Sequence, residues 1–85
     1  MTKKITVRYF ASIREALGCA SETIETHAAT LGALREMLME RGGAYASSLG
    51  TGKAVRMALN QVLSDDSATL PEGAEVAFFP PVTGG

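Results

Sequence analysis

The chain of 85 residues closes on Phe79-Pro80-Pro81-Val82-Thr83-Gly84-Gly85. The group there with the clearest chemical use is the main-chain carboxylate of Gly85. Two residues without a Cβ make a tip thin enough for a narrow channel, and they leave the carboxylate uncovered. No side chain at the tip competes with it. Pro80 and Pro81 donate no backbone hydrogen bonds, so a sheet has to stop before them. Their fixed φ favours an extended arm, and six residues at about 3.1 Å each reach roughly 18 Å beyond a fold. The plain alternative is a frayed, functionless end. A well-formed strand running straight into Pro-Pro and Gly-Gly argues against it.

Other reactive side chains make weaker cases. Cys19 has no His or Asn near it in sequence, and a lone thiol usually behaves as a small hydrophobe. His27 stands between a strand and a helix cap and reads as a surface residue rather than a base. Gly52-Lys53 resembles a phosphate loop only superficially. Ser47 occupies the place of the first glycine, and Ala54 that of the required Ser or Thr. No His, Cys, Asp or Glu cluster has metal-ligand spacing.

The elements that must carry the tail follow from periodicity. Lys4–Phe10 alternates, with Ile5, Val7 and Tyr9 on one face, as in a half-buried strand. Ser12 and Glu15 have the spacing of a capping box, which predicts a short helix stopped by Gly18. Ser21–Thr26 is a second strand expected to pair with the first. Thr30 caps a longer helix carrying Leu31, Leu34, Met37, Leu38 and Arg41 along one side, ended by Gly42-Gly43. Gly32 in its first turn weakens it by about 1 kcal/mol relative to Ala. Residues 44–54 read as a loop. Val55–Leu59 is a strand, Asn60-Gln61 a turn weaker than Asn-Gly, and Val62-Leu63 a short return. Asp65-Asp66-Ser67 and Pro71-Glu72-Gly73 are turn chemistry. Glu75–Phe79 is the last strand. Strands joined across one long helix predict an α+β roll, with residues 1–79 as the domain and 80–85 as the tail. If the first and last strands are neighbours, the tail leaves from the middle of the sheet.

Phe78 and Phe79 are consecutive and face opposite sides of a sheet. With Val76 and Phe78 in the core, Phe79 lies on the open face as an interface anchor. Phe10, out of phase with Tyr9, is expected to join it, with Met57 or Leu59 contributing. Arg14 is a second candidate for partner contact, with pairing to Glu15 or another surface acid as the equal alternative.

Composition narrows the function classes. The length allows one domain and no deep pocket of its own. Eight basic and nine acidic side chains give a net charge of −1, which is no footprint for nucleic acid. No stretch reaches the roughly 20 apolar residues of a membrane span, and the start lacks the apolar run of a signal peptide. One cysteine excludes an internal disulfide. A soluble cytoplasmic protein is expected.

Glu75–Gly85 resembles the C-terminal signature of the molybdopterin synthase small-subunit family. Arg14-Glu15-Ala16-Leu17-Gly18 is similar to that family's early helix, and Ala58-Leu59-Asn60-Gln61 to its Ala-Val-Asn hairpin, with Leu59 in place of Val. Ala74 departs from the Asp common there. The resemblance implies a β-grasp, ubiquitin-like fold of about five strands with one main and one short helix. It also implies a sulfur carrier. An E1-like enzyme adenylates Gly85 using ATP, a sulfur donor protein converts it to a thiocarboxylate, and Pro80, Pro81, Val82, Thr83 and Gly84 enter the large subunit of a heterotetramer. Sulfur then passes to cyclic pyranopterin monophosphate to build the dithiolene of molybdopterin. This chain binds no cofactor in that scheme. A carrier for thiamine or cysteine synthesis, a ubiquitin-like modifier of lysines and an inert interaction module are the competing readings.

Overall fold

The computed structural model describes residues 2–50 and 55–80. The elements are β1 (Lys3–Tyr9), α1 (Ala11–Leu17), β2 (Ser21–Thr26), α2 (Leu31–Met39), α3 (Gly43–Leu49), β3 (Arg56–Leu59), β4 (Val62–Ser64) and β5 (Glu75–Phe79). Alternation decides what β1 buries: Ile5, Val7 and Tyr9 are sequestered, while Lys4 and Arg8 face water. On α2, the 3.6-residue spacing brings Leu31, Leu34 and Leu38 onto one buried stripe. That stripe, Ile13 of α1, Leu49 of α3 and Leu70 form one core with the covered face of the sheet. Each fully buried aliphatic or Phe side chain there contributes about 1.5–3 kcal/mol relative to exposure.

The sheet order is β2-β1-β5-β3-β4. β1 pairs antiparallel with β2 and parallel with β5, with Val7 beside Val76 and Tyr9 beside Phe78. β3 pairs antiparallel with both β5 and β4. This is a β-grasp: two hairpin-like arms, a central parallel pair, and helices packed on one face. The last strand is the middle strand of five.

Two local expectations need correction. Ser12 and Glu15 form no capping box. The α1 cap is Phe10, without a side-chain cap, and its carbonyl accepts from the Ile13 and Arg14 amides at 3.2 and 3.3 Å. The Phe10 amide is itself held by the Phe78 carbonyl at 3.1 Å, so sheet bonding persists to Phe10 and the chain turns directly after it. Gly18 does end α1 in the left-handed region, its amide reaching the Arg14 carbonyl at 2.9 Å.

The second correction is α3, which occupies much of the stretch read as loop; residues 51–54 lie outside the described residues. Seven residues are too few for a stable isolated helix, so its support is tertiary. Tyr45 and Leu49, four apart, turn one side to the core, and Leu49 is fully buried. Arg35 of α2 donates from Nε to the Leu49 carbonyl at 2.7 Å and from Nη2 to the Gly50 carbonyl at 3.0 Å. These bonds satisfy acceptors that a helix C-terminus otherwise leaves open. Arg35 is 92% buried as a residue (8% exposed), and Asp66 stands 3.8 Å from its Nη1.

Gly32 has its reason in the same region. A Cβ there would stand 3.0 Å from the Asp66 Cβ, and the Gly32 amide donates to the Asp66 carbonyl at 2.9 Å. Close approach of the 65–68 turn outweighs the helix propensity that glycine forfeits.

The Asn60-Gln61 turn has φ of 49° and 71°, left-handed at both central residues. Asn tolerates this region and Gln does so poorly. Gln61→Gly is therefore expected to stabilise the domain by about 1 kcal/mol, raising Tm by about 4–8 °C in a calorimetric or fluorescence melt. An unchanged or lower Tm would contradict the strain at Gln61.

Candidate functional site: the open sheet face and the exit of the last strand

β5 ends at Phe79, held between β1 and β3, and the chain passes from there into Pro80, which is half-buried. Pro81, Val82, Thr83, Gly84 and Gly85 lie outside the described residues. Val76 and Phe78 are fully buried on the covered side. Phe79 therefore belongs to the open face, half-buried and directly opposite Arg56 of β3. Phe10 is 38% exposed beside it. The Arg8 guanidinium lies 5.5 Å from the Phe10 ring centroid, within cation–π range, with Glu75 3.7 Å from its Nη1.

Met57 and Leu59 do not share that face. Met57 pairs with Phe78 and is 4% exposed within the core; Leu59 pairs with Val76 and packs against the same core. Antiparallel partners directly opposite each other project to one side, so burying Phe78 carries Met57 inward with it. The open-face residue that sequence reasoning missed is Leu63, 62% exposed and opposite Ala58, which in turn lies opposite Ala77. The two-residue turn at Asn60-Gln61 was the available signal. It sets Leu63 against Ala58, one residue out of phase with Met57. The described apolar surface of the open face is thus Phe10, Phe79, Ala77, Ala58 and Leu63, while the exposed Val62, opposite Leu59, belongs to the other face.

Arg14 is exposed on α1. Cys19 is a half-buried free thiol packed at the core edge, and His27 is exposed. Among the described residues no group of three His, Cys, Asp or Glu side chains is placed to hold a metal ion. No helix among them is long and apolar enough to cross a membrane.

A second polar cluster lies on the covered side. Glu22 Oε2 accepts from the Tyr9 hydroxyl at 2.8 Å, the Tyr45 hydroxyl at 2.9 Å and Arg41 Nη1 at 3.1 Å, while Oε1 accepts from Arg41 at 3.0 Å. Burial alone would raise the Glu22 pKa, but hydrogen bonds from Tyr9, Arg41 and Tyr45 hold it below the ordinary carboxylate value. Burial, then the bond to Glu22, push Tyr9 far above its usual value and raise Tyr45 as well. Both phenols stay protonated as donors. The cluster joins β1, β2, α3 and the segment after α2, and it lies on the face opposite Phe79, with the Tyr9 ring stacked on Phe78 at 6.2 Å between centroids.

The family model described as the ThiS family matches residues 7–85, taking in both the grasp and the tail. The chain belongs to the ThiS family. This ThiS-family chain is 41% identical over 81 residues to the molybdopterin synthase sulfur carrier subunit of Haemophilus influenzae, covering 95% of the chain and 99% of the relative. It is 40% identical over 81 residues to the protein of the same name from Escherichia coli, with the same coverage. Among solved structures, the complex of subunits 1 and 2 of molybdopterin-converting factor from Helicobacter pylori contains a chain that superposes with a TM-score of 0.63 at 31% identity. The match covers 96% of this chain and 99% of that one.

Proposed function

We infer that this chain is the sulfur-carrier subunit of a molybdopterin synthase, acting in the cytoplasm, with the Gly85 carboxylate as its working group. One observation carries the reading. The middle strand of the sheet leads directly into Pro-Pro-Val-Thr-Gly-Gly, in a chain matched almost end to end by relatives bearing that name. The strand that leads into the tail, β5, is hydrogen-bonded to a neighbour on each side, which makes a firm platform behind it. A peripheral strand would hold its last residue from one side only.

The chemistry follows from the carboxylate. Its leaving group as it stands would be oxide, so acyl transfer requires activation. A Gly85 oxygen attacks the α-phosphorus of ATP on an E1-like partner and pyrophosphate departs, leaving an acyl-adenylate. A sulfur donor then displaces AMP to give the thiocarboxylate. The tail enters the large subunit, and the thiocarboxylate sulfur attacks cyclic pyranopterin monophosphate. Water then cleaves the bond between that sulfur and the Gly85 carbonyl carbon, leaving the sulfur on the pterin and returning the carboxylate. Two such transfers complete the dithiolene. Pro80 to Gly84 act as a slim arm, while Phe10, Phe79, Leu63 and Arg14 provide the docking surface. The groups that stabilise charge in these steps belong to the partners, and ATP is used by the activating partner.

Intact-mass spectrometry of the chain purified from its own host tests this. The expected spectrum contains a population in which one C-terminal oxygen is replaced by sulfur. Gly-Gly remnants on lysines of other proteins, without that population, would point to a protein modifier. Neither signal would leave an inert module and end the carrier reading.

A further inference from the structure

The charges of the open face are sorted along the strands. In the rows farther from the tail exit, Lys4 lies opposite Glu25, and Thr6 opposite Glu75. In the two rows next to the exit the charged side chains within the paired strands are both arginines, while Asp65 and Asp66, which follow β4, line the same cavity as Arg56 without coming within ion-pair distance of it. Arg8 lies opposite Ala77, and Arg56 opposite Phe79. They flank the apolar patch from β1 on one side and β3 on the other. Glu75 reaches Arg8 only at 3.7 Å, and among the described residues no carboxylate lies within ion-pair distance of Arg56. The chain as a whole carries a net charge of −1. The positive corner is therefore local and too small to serve as a nucleic-acid footprint.

Exposed arginines of this kind add little to the stability of the free domain. They matter when a partner covers Phe79 and Phe10, because the two guanidinium groups then lose water. Burying a charge without a counter-charge is strongly unfavourable, whereas an arginine facing a carboxylate across an interface gains paired hydrogen bonds. We propose that the partner receiving the tail presents acidic side chains at two places around an apolar socket, one facing Arg8 beside Phe10 and one facing Arg56 beside Phe79. This rests on the sulfur-carrier reading and adds to it the charge of the surface that must surround the channel mouth. The two pairs fix the rotation of the carrier about its tail and steer its approach.

The test measures association of the full chain with the large synthase subunit of its own host by stopped-flow fluorescence, at roughly 50 mM and roughly 500 mM salt. The wild-type association rate constant is expected to fall about tenfold or more across that range. An Arg8→Gln/Arg56→Gln double variant should show a comparable loss at the lower salt and a flattened salt dependence. Arg8→Lys/Arg56→Lys should retain the dependence, which a role in packing alone would not predict. The wild-type salt series needs no substitution and stands even if a variant folds poorly. A wild-type rate that ignores salt, or a double Gln variant that associates as the wild type does, overturns the acidic socket while leaving the carrier reading intact. Absence of wild-type binding at both salt concentrations overturns the socket together with the reading beneath it.

Discussion

Removal of Gly85, or addition of one alanine after it, is expected to abolish sulfur transfer to the pterin precursor while leaving the melting temperature within about 1 °C of wild type. Either change displaces the terminal carbonyl carbon by one residue, about 3.1–3.6 Å along an extended chain. Misplacing a reacting atom by as little as 1 Å costs about 10²-fold in rate, so a one-residue shift should bring transfer to background. Stability should not follow, because the core runs from Ile5 to Phe78 and does not include Pro80. A reconstituted synthase assay beside a thermal melt checks both halves. Substantial activity in either variant would mean the reacting group lies elsewhere. A matching fall in Tm would mean the tail is a structural part of the domain.

The largest stability effect away from the apolar core is expected at Glu22. Glu22→Ala takes the acceptor from two phenols and one guanidinium together, and Tyr9 is 1% exposed. A buried hydroxyl left without a partner costs about 1–3 kcal/mol. Tyr45 and Arg41 lose their shared anchor as well, although the Arg41 guanidinium still lies 4.8 Å from the Tyr45 ring centroid. A total of about 2–3 kcal/mol is expected, or a drop in Tm of about 10–20 °C for a domain of this size. The pH dependence has a definite sign. The folded-state pKa of Glu22 is held below its ordinary value. Its contribution is therefore complete at neutral pH, above the unfolded-state pKa, and is lost as pH falls through the folded-state pKa. The wild-type advantage over Glu22→Gln should be full at pH 7 and shrink below the ordinary carboxylate range. Parallel stability curves for the two proteins down to pH 3 would show that the ionised carboxylate is not what holds the cluster.

Much of the scaffold was legible where a periodic pattern met a definite stop. Ile5, Val7 and Tyr9 mark a strand by alternation, and Leu31, Leu34 and Leu38 mark a helix by their spacing. Thr30 caps α2 with its hydroxyl 3.2 Å from the Ala33 amide, and Gly18 ends α1, both on local chemistry alone. The parts that were not legible depend on long-range partners. α3 contains Ser47, Ser48 and flanking glycines that suggest a loop, and its C-terminal carbonyls are satisfied by Arg35 from another helix. Ser12 and Glu15 have capping-box spacing, yet the hydrogen bond from the Phe10 amide to Phe78 moves the start of the helix. At the site, Phe79 followed from Phe78 by simple alternation. Met57, Leu59 and Leu63 did not follow, because a four-residue strand shows too little alternation to set its own phase. Register against β5 settles it, turning Met57 inward and Leu63 outward. Glu22 was one acidic residue in a Thr-rich strand, and only folding brings Tyr9, Tyr45 and Arg41 to it.

A reconstitution with three forms of this chain tests the central claim most directly: the chain ending in a chemically installed Gly85 thiocarboxylate, the free carboxylate, and a C-terminal amide. Each is mixed with the large subunit and cyclic pyranopterin monophosphate, without ATP or an activating enzyme. The thiocarboxylate form alone is expected to yield the dithiolene product, in amounts limited by the carrier added. Product from the amide form at a comparable level would contradict the account.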